Sequence, residues 1–150
     1  MRILATQYTL SKRSLDIYTA GCKGPHCKGC HNPETWDFDL GHEWGEACLS
    51  KVREKISDFP KLIERLMVFG GEPLDNPTVE VVEMLEGLKR TDRQVWLFTR
   101  YDFEEVPQEI KNLCDYIKCG RFEESMKVAG YVQYGIELAT SNQRIYKVGA

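Results

Sequence analysis

The sequence predicts an α/β chain built as a short partial (β/α) barrel, with a mostly parallel curved sheet and an antiparallel N-terminal strand. Two observations predict it. Short apolar runs such as Leu66-Met67-Val68-Phe69 and Val95-Trp96-Leu97-Phe98 alternate with stretches whose apolar residues recur at helical spacing, the pattern of parallel strands joined by helical crossovers. The length of 150 residues suits one domain spanning 1–150, at about 100–200 residues per domain, and falls short of the about 250 that a complete eight-stranded barrel needs.

The elements follow in order. Residues 2–10 alternate loosely, and 14–20 carry Ile17 and Tyr18; Ser11-Lys12-Arg13 between them reads as the turn of an antiparallel pair. Residues 21–34 hold three Gly, two Pro, three Cys and two His with no periodicity, which predicts a long ordered loop that something must hold. Trp36, Phe38 and Leu40 then alternate. A helix is predicted over 46–59, with Ala47, Leu49, Val52 and Ile56 on one face and Pro60 limiting its end. The strand 66–69 runs into Gly70-Gly71, and a helix opens at Asn76-Pro77 with Val79, Val82, Leu85 and Leu88 as its buried stripe. The strand 95–98, a helix over 103–113 interrupted at Pro107, and the strand 116–119 follow. Extended segments at 136–140 and 144–148 close the chain. Right-handed crossovers bring the carboxyl ends of parallel strands to one edge, where ligands bind. That edge would hold Ala20-Gly21, Phe69-Gly70, Phe98-Thr99 and Cys119-Gly120.

Twenty basic and 23 acidic residues leave a net charge of -3, which excludes nucleic-acid binding driven by bulk charge. Apolar residues at 42% and charged residues at 29% are an ordinary globular balance. Residues 1–10 are too polar for a signal-peptide core, and no run of about 18 apolar residues occurs. The expectation is a cytoplasmic chain with reduced thiols and no membrane partner. Its six cysteines then read as ligands, catalytic groups or packing rather than crosslinks.

Cys22, Cys27 and Cys30 are spaced Cys-x4-Cys-x2-Cys. Three thiolates so close can converge on one metal centre, and Gly21, Gly24, Pro25 and Gly29 let the backbone curl around it. Thiolates select zinc or iron–sulfur clusters. Structural zinc wants four closed ligands; His26, His31 or Cys48 is the candidate fourth, and no second Cys-x2-Cys pair is present. A four-iron cluster normally takes four thiolates. With three, one iron keeps an open position at which substrate can bind. Cys48 and Cys114 read as small buried apolar residues in helical stretches, whereas Cys119 ends a strand at the ligand edge. Gly70-Gly71-Glu72-Pro73 is either plain turn chemistry or a place where backbone approaches a ligand closely, since neither glycine has a Cβ.

With the cysteine loop after the first strands and Gly70-Gly71-Glu72-Pro73 after the next, the chain resembles radical S-adenosylmethionine (SAM) enzymes. Further motifs resemble one branch of them, the activating proteins of anaerobic (class III) ribonucleotide reductase. The cysteine loop runs on as Cys30-His31-Asn32-Pro33-Glu34-Thr35-Trp36. A strand reads Trp96-Leu97-Phe98-Thr99-Arg100-Tyr101, followed by Glu104-Glu105. Cys119-Gly120-Arg121-Phe122-Glu123 and Ser141-Asn142-Gln143-Arg144 complete the series, in the family's order. The chain departs from that family in one extra residue between Cys22 and Cys27, in Lys28-Gly29 where an aromatic often stands, in Arg100 for a glycine, in Cys119 for an aspartate and in Arg121 for a lysine.

The resemblance implies a partial barrel of the radical SAM type, with one [4Fe-4S] cluster and SAM as cofactors. It implies Cys22, Cys27 and Cys30 as metal ligands and Gly70, Gly71, Glu72, Pro73, Thr99 and Arg121 as SAM contacts. Glu72 would meet the ammonium of SAM, and Arg121 its carboxylate through a planar fork. Arg100, Cys119, Asn142 and Arg144 would face the pocket or the partner. His26 and His31 would tune hydrogen bonding around the cluster, and Trp36 and Trp44 would anchor the loop. Ordinary readings stand beside these: Thr99 as a strand-end threonine, Arg121 as a solvated surface arginine, Asn142 and Arg144 as caps of the last strand. The implied reaction starts from an external electron donor such as flavodoxin or ferredoxin. SAM is cleaved reductively to methionine and a 5′-deoxyadenosyl radical, and a glycyl radical is left on anaerobic ribonucleotide reductase. Arg100 and Cys119 motivate a first alternative, the same chemistry on another glycyl radical enzyme or a peptide. A zinc-stabilised, non-enzymatic binding module is the second. An incomplete barrel leaves one side open to a protein substrate.

Overall fold

Apolar runs become strands and periodic stretches become helices in the computed structural model, which describes residues 1–30 and 33–148. His31 and its expected role lie outside the described residues. The strands are β1 (Arg2–Thr9), β2 (Ser14–Thr19), β3 (His42–Glu43), β4 (Arg65–Gly70), β5 (Gln94–Phe98), β6 (Tyr116–Cys119), β7 (Val132–Gln133), β8 (Ile136–Glu137) and β9 (Arg144–Lys147). The helices are α1 (Glu46–Asp58), α2 (Thr78–Lys89) and α3 (Gln108–Lys111).

Seven strands form one sheet in the order β3-β1-β2-β4-β5-β6-β9, and β7 and β8 pair as a separate hairpin. The four central strands β2, β4, β5 and β6 are parallel, each joined to the next through α1, α2 or α3. Their register aligns Ile17, Val68, Leu97 and Ile117 in one row across the sheet. β1 is antiparallel to β2 and to β3, as expected for the N-terminal pair. The other edge corrects the sequence expectation: β9 also runs antiparallel, against β6, so the sheet is mixed, with a parallel centre and antiparallel edges. No helix intervenes between the hairpin and β9, and antiparallel pairing needs no crossover helix. β3 and β9 are the outer strands, so the sheet is open and no barrel closes.

Strand alternation sends successive residues to opposite faces, and the two faces differ. One row (Leu15, Ile17, Leu66, Val68, Val95, Leu97, Ile117) packs with Val52 and Ile56 of α1 and with Val81, Met84, Leu85 and Leu88 of α2. The opposite face carries Met67 and Trp96 with Phe69, Phe98 and Tyr116, covered in part by Ile136, Leu138 and Ile145. Its rings form a continuous tier. Centroids lie 5.6 Å apart for Tyr18 and Phe69, 4.1 Å for Phe69 and Phe98, and 4.1 Å for Trp96 and Tyr116. The helices therefore cover one face of the sheet.

Several local expectations shift. The buried stripe of α2 is Val81, Met84, Leu85 and Leu88, while Val79 is 74% exposed and Val82 is half-buried. A run of steps of three drifts around a helix of 3.6 residues per turn, whereas the set i, i+3, i+4, i+7 stays on one side. Ala47 is exposed, and α1 buries Leu49, Val52 and Ile56. The interruption expected at Pro107 is borne out: the stretch 103–113 forms a 3-10 turn (Phe103–Glu105) and the short α3, because proline lacks the N–H that would continue the ladder. Trp36, Phe38 and Leu40 form no strand. Trp44 packs against the helix-side core, and its backbone N–H donates to the Met1 carbonyl at 2.9 Å. No helix among the described residues is long and apolar enough to cross a membrane.

The phase of α2 is testable by urea denaturation. Met84→Ala should lower stability by about 2–5 kcal/mol, as large-to-small core changes do. Val79→Ala should stay within about 0.5 kcal/mol of the parent, as exposed substitutions do.

Candidate functional site

The carboxyl ends of the four parallel strands surround a cavity of about 320 Å³. Cys22, Cys27 and Cys30 line it together with Gly70, Gly71, Glu72, Thr99 and Arg100. Phe69 and Phe98, the top of the aromatic tier, supply apolar wall, and Lys118 and Gln143 supply polar wall. Among the described residues no three His, Cys, Asp or Glu side chains are placed to hold a single metal ion. The three thiols border one shared space rather than one point.

The cysteine loop has no strand or helix of its own before Pro33 among its described residues, so contacts from outside place it. Gly21 N–H donates to Thr35 O at 2.7 Å and Cys22 N–H to Trp36 O at 3.0 Å, which lays the start of the loop along its return. Glu72 N–H donates to Gly21 O at 2.7 Å, joining the loop to the end of β4. A Cβ on Gly71 would lie 2.4 Å from Gly21 O and 2.7 Å from Thr35 O. On Gly70, whose φ is +146°, it would lie 2.2 Å from Thr19 O. Both glycines are therefore required by the close approach of backbone, and both also line the cavity. His26 stacks on Trp36 with ring centroids 3.7 Å apart, and its Nε2 lies 2.9 Å from the Cys22 carbonyl oxygen. It braces the loop through its backbone rather than through a sulfur.

Two buried carboxylates lock the strand tips together. Glu72 Oε1 accepts from Thr99 Oγ1 at 2.6 Å and from Leu74 N–H at 3.1 Å, and Oε2 accepts from Arg100 N–H at 2.7 Å. Burial pushes the Glu72 carboxyl above the ordinary glutamate value, against the pull of those hydrogen bonds. Asp75 Oδ2 accepts from Lys23 N–H at 2.8 Å and from Arg100 at 3.0 Å, and Oδ1 accepts from the Tyr101 hydroxyl. Burial pushes the Asp75 carboxyl up, but Tyr101, Lys23 and Arg100 together hold it below the ordinary aspartate value. Arg100 also donates to Gly24 O at 3.0 Å. Burial raises the Cys22 thiol, opposed by the Gly24 amide and the charge of Arg100.

Other predicted site residues stand elsewhere. Pro73 is buried, begins a 3-10 turn (Pro73–Asp75) and does not line the cavity. Arg121 donates to Pro25 O across the loop, also away from the cavity wall. Asn142 donates to Arg121 O at 2.8 Å. Arg144 is exposed on β9 over the Tyr146 ring. Cys119 points to the helix-side core, and burial pushes its thiol to about 12. Cys114 is buried as expected, but Cys48 is only half-buried and donates to Glu43 O at 3.3 Å. Lys118 was missed. Its neighbour alternation in β6 (Ile117 and Cys119 toward the helices, Lys118 toward the cavity) was the available signal. Its Nζ donates to Gly120 O at 3.0 Å, and burial pushes its pKa down to about 8.

The lowered Asp75 pKa carries a sign. The unfolded chain binds the proton more readily, so Asp75 contributes stability above the ordinary aspartate pKa of about 3.9 and loses it as pH falls through the lower folded value. Urea unfolding of the cluster-free chain should therefore weaken as pH falls below about 4. Asp75→Asn should flatten that fall, and an unchanged slope in the variant contradicts the assignment.

Comparison with known proteins gives concordant matches. The chain is 28% identical over 104 residues to the anaerobic ribonucleoside-triphosphate reductase-activating protein of Vibrio cholerae serotype O1, covering 67% of this chain and 66% of that protein, just under two thirds of its length. It is 21% identical over 136 residues to the protein of the same name from Escherichia coli strain K12, covering 87% and 85% of the two chains. The namesake from Salmonella typhi matches at 21% over 136 residues with the same coverage. A family model described as a 4Fe-4S single cluster domain matches residues 12–146, from the turn before β2 into β9. That span contains the cysteine loop, every parallel strand and the whole cavity wall, and the chain belongs to the 4Fe-4S single cluster domain family.

Proposed function

We propose that this chain is a radical SAM activase that generates a glycyl radical on anaerobic ribonucleotide reductase, with Cys22, Cys27 and Cys30 as the ligands of one [4Fe-4S] cluster. The observation that carries the reading is the convergence of those three thiols on one cavity wall with the Gly70-Gly71-Glu72 tip of β4 and Thr99 beyond β5. The donor set fits the group: thiolates are the ligands of iron–sulfur clusters, and the three cysteines line one cavity. When bound and reduced, the cluster supplies the electron that cleaves SAM to methionine and a 5′-deoxyadenosyl radical, which takes a hydrogen atom from a glycine of the partner.

The residues of the chain divide the remaining work. An ionised carboxylate offers about four acceptor sites, and among the described residues Glu72 uses three of them on Thr99, Leu74 and Arg100. The fourth is left for an ammonium group in the cavity that Glu72 lines. Lys118 has three donors and spends one on Gly120 among the described residues, leaving two for a carboxylate. This takes the role that the resemblance gave to Arg121. Phe69 and Phe98 give the site an apolar wall, and Thr99 is held by Glu72 with its hydroxyl fixed as a donor. The open side of the sheet admits a protein loop. A low-potential carrier such as flavodoxin or ferredoxin serves as electron donor, in the cytoplasm.

Anaerobic reconstitution tests the whole. Stoichiometric iron and sulfide, an EPR signal on reduction that changes with SAM, and release of methionine and 5′-deoxyadenosine are expected. Cys22→Ala, Cys27→Ala and Cys30→Ala should each abolish cleavage. A colourless protein with one zinc and no cleavage would establish the binding module instead. A glycyl radical signal on a different enzyme, and none on the reductase, would move the activity to the other partner.

The Lys118 role has its own test. SAM affinity of the loaded protein, measured by calorimetry, should weaken as pH rises through about 8, because the ammonium is lost. Lys118→Met should weaken binding below that pH and remove the dependence, and full affinity in the variant would return the carboxylate to Arg121.

A further inference from the structure

Arg100 stands where the resembling family has a glycine, and the structure gives it more work than a surface arginine does. Its side chain is 14% exposed. One terminal nitrogen donates to Asp75 at 3.0 Å and to the loop carbonyl Gly24 O at 3.0 Å, and its guanidinium sits over the Tyr101 ring at 4.7 Å. Its Nε is buried and has no hydrogen-bond partner among the described residues. A buried donor left unmade is costly, on the order of 1–3 kcal/mol, and native proteins rarely tolerate one without a use. Arg100 and Cys22 line the same cavity.

We propose that Arg100 is a positioning residue of the cluster site: its terminal nitrogen clamps the cysteine loop, and its positive charge and its Nε–H, which has no partner among the described residues, serve the sulfur side of the bound cluster, raising its reduction potential. The inference rests on the reading that Cys22, Cys27 and Cys30 hold the cluster. Hydrogen bonds to sulfur, net charge and solvent exposure set the potentials of such centres. Reduction adds one electron and one negative charge, with no covalent bond made or broken, and a nearby cation favours that added charge. A glycine at 100 gives neither donor nor charge, so this chain holds its cluster at a higher potential than the same site without the arginine.

The test is a potentiometric titration with dithionite as the one-electron donor, followed by EPR, on the cluster-loaded protein. Arg100→Gln should lower the midpoint by about 59 mV, a tenfold fall in the reduced-to-oxidised ratio for a one-electron couple. Arg100→Lys, which keeps the charge and loses the fork, should fall less. A midpoint unmoved or raised in Arg100→Gln overturns the proposal. Where Arg100→Gln takes up no cluster, Arg100→Lys decides: it keeps the charge and loses the Nε–H donor, so the midpoint should fall by less than about 59 mV, and an unmoved or raised midpoint overturns the proposal. Iron and sulfide analysis of the unaltered chain separates the two levels. A preparation without stoichiometric cluster defeats the ligand reading, and a loaded one with unresponsive midpoints defeats only the role of Arg100.

Discussion

The Asp75 carboxylate ties the cysteine loop to the segment beyond β5. It accepts the Lys23 amide from the cysteine loop and the Arg100 and Tyr101 side chains from beyond β5. The loop cannot place itself, because it has neither ladder nor apolar stripe to bury. Hydrogen bonds to charged groups contribute about 1.5–3 kcal/mol each, roughly twice neutral ones, so one carboxylate with three donors is an economical anchor. β4 and β5 are adjacent and parallel, and parallel neighbours end at the same edge. The turn after β4 and the turn after β5 therefore face each other at no cost in loop closure. The clamp is a consequence of topology that needs only the right side chains at 72, 75, 99, 100 and 101.

Alternation along the central strands explains how so short a chain is both stable and open. Each strand sends one set of residues to the helices and the other to the cavity side. Ile17, Val68, Leu97 and Ile117 bury against α1 and α2 and supply the area that holds the fold. The opposite set is spared that duty. Its aromatic tier packs ring on ring and is capped only in part by the hairpin. A cavity can exist on that side because the core does not depend on filling it.

The same alternation marks what was legible in the sequence. Apolar runs located β4, β5 and β6, and the crowding of cysteine, glycine and proline located the loop, because those signals are local. The two-residue strands β3 and β7 were not legible as such and exist through their partners. Cys119 drew notice by its position at a strand end, but face is decided by parity, and parity gives the cavity to Lys118. Arg121 drew notice by its charge, yet it is spent on Pro25. Asp75 and Tyr101 carry no motif of their own. Their importance comes from a three-way meeting of segments 52 and 26 residues apart in the chain, which pattern within a window cannot show. Gly70 and Gly71 were legible as close approach, but the body approaching is the chain itself before it is any ligand.

Glu72 and Asp75 lie three residues apart and are pushed in opposite directions, the first up by burial and the second down by its donors. Paired carboxyl groups separated in this way hold different jobs. Asp75 is a fixed anion whose charge is consumed by Arg100 and by the amide and hydroxyl around it. Glu72 is buried among weaker, neutral donors, and it is the one that reaches the cavity. Lys118 feels its charge across the strand tips. An acidic group after β4 and a basic group on β6, with β5 and its threonine between them, present opposite signs to the two ends of one small zwitterion. An α-amino acid moiety has that shape, its ammonium and carboxylate divided by a single carbon. On the reading proposed for this site, that moiety would be the methionine end of SAM, and the two opposed charges would orient it in the cavity.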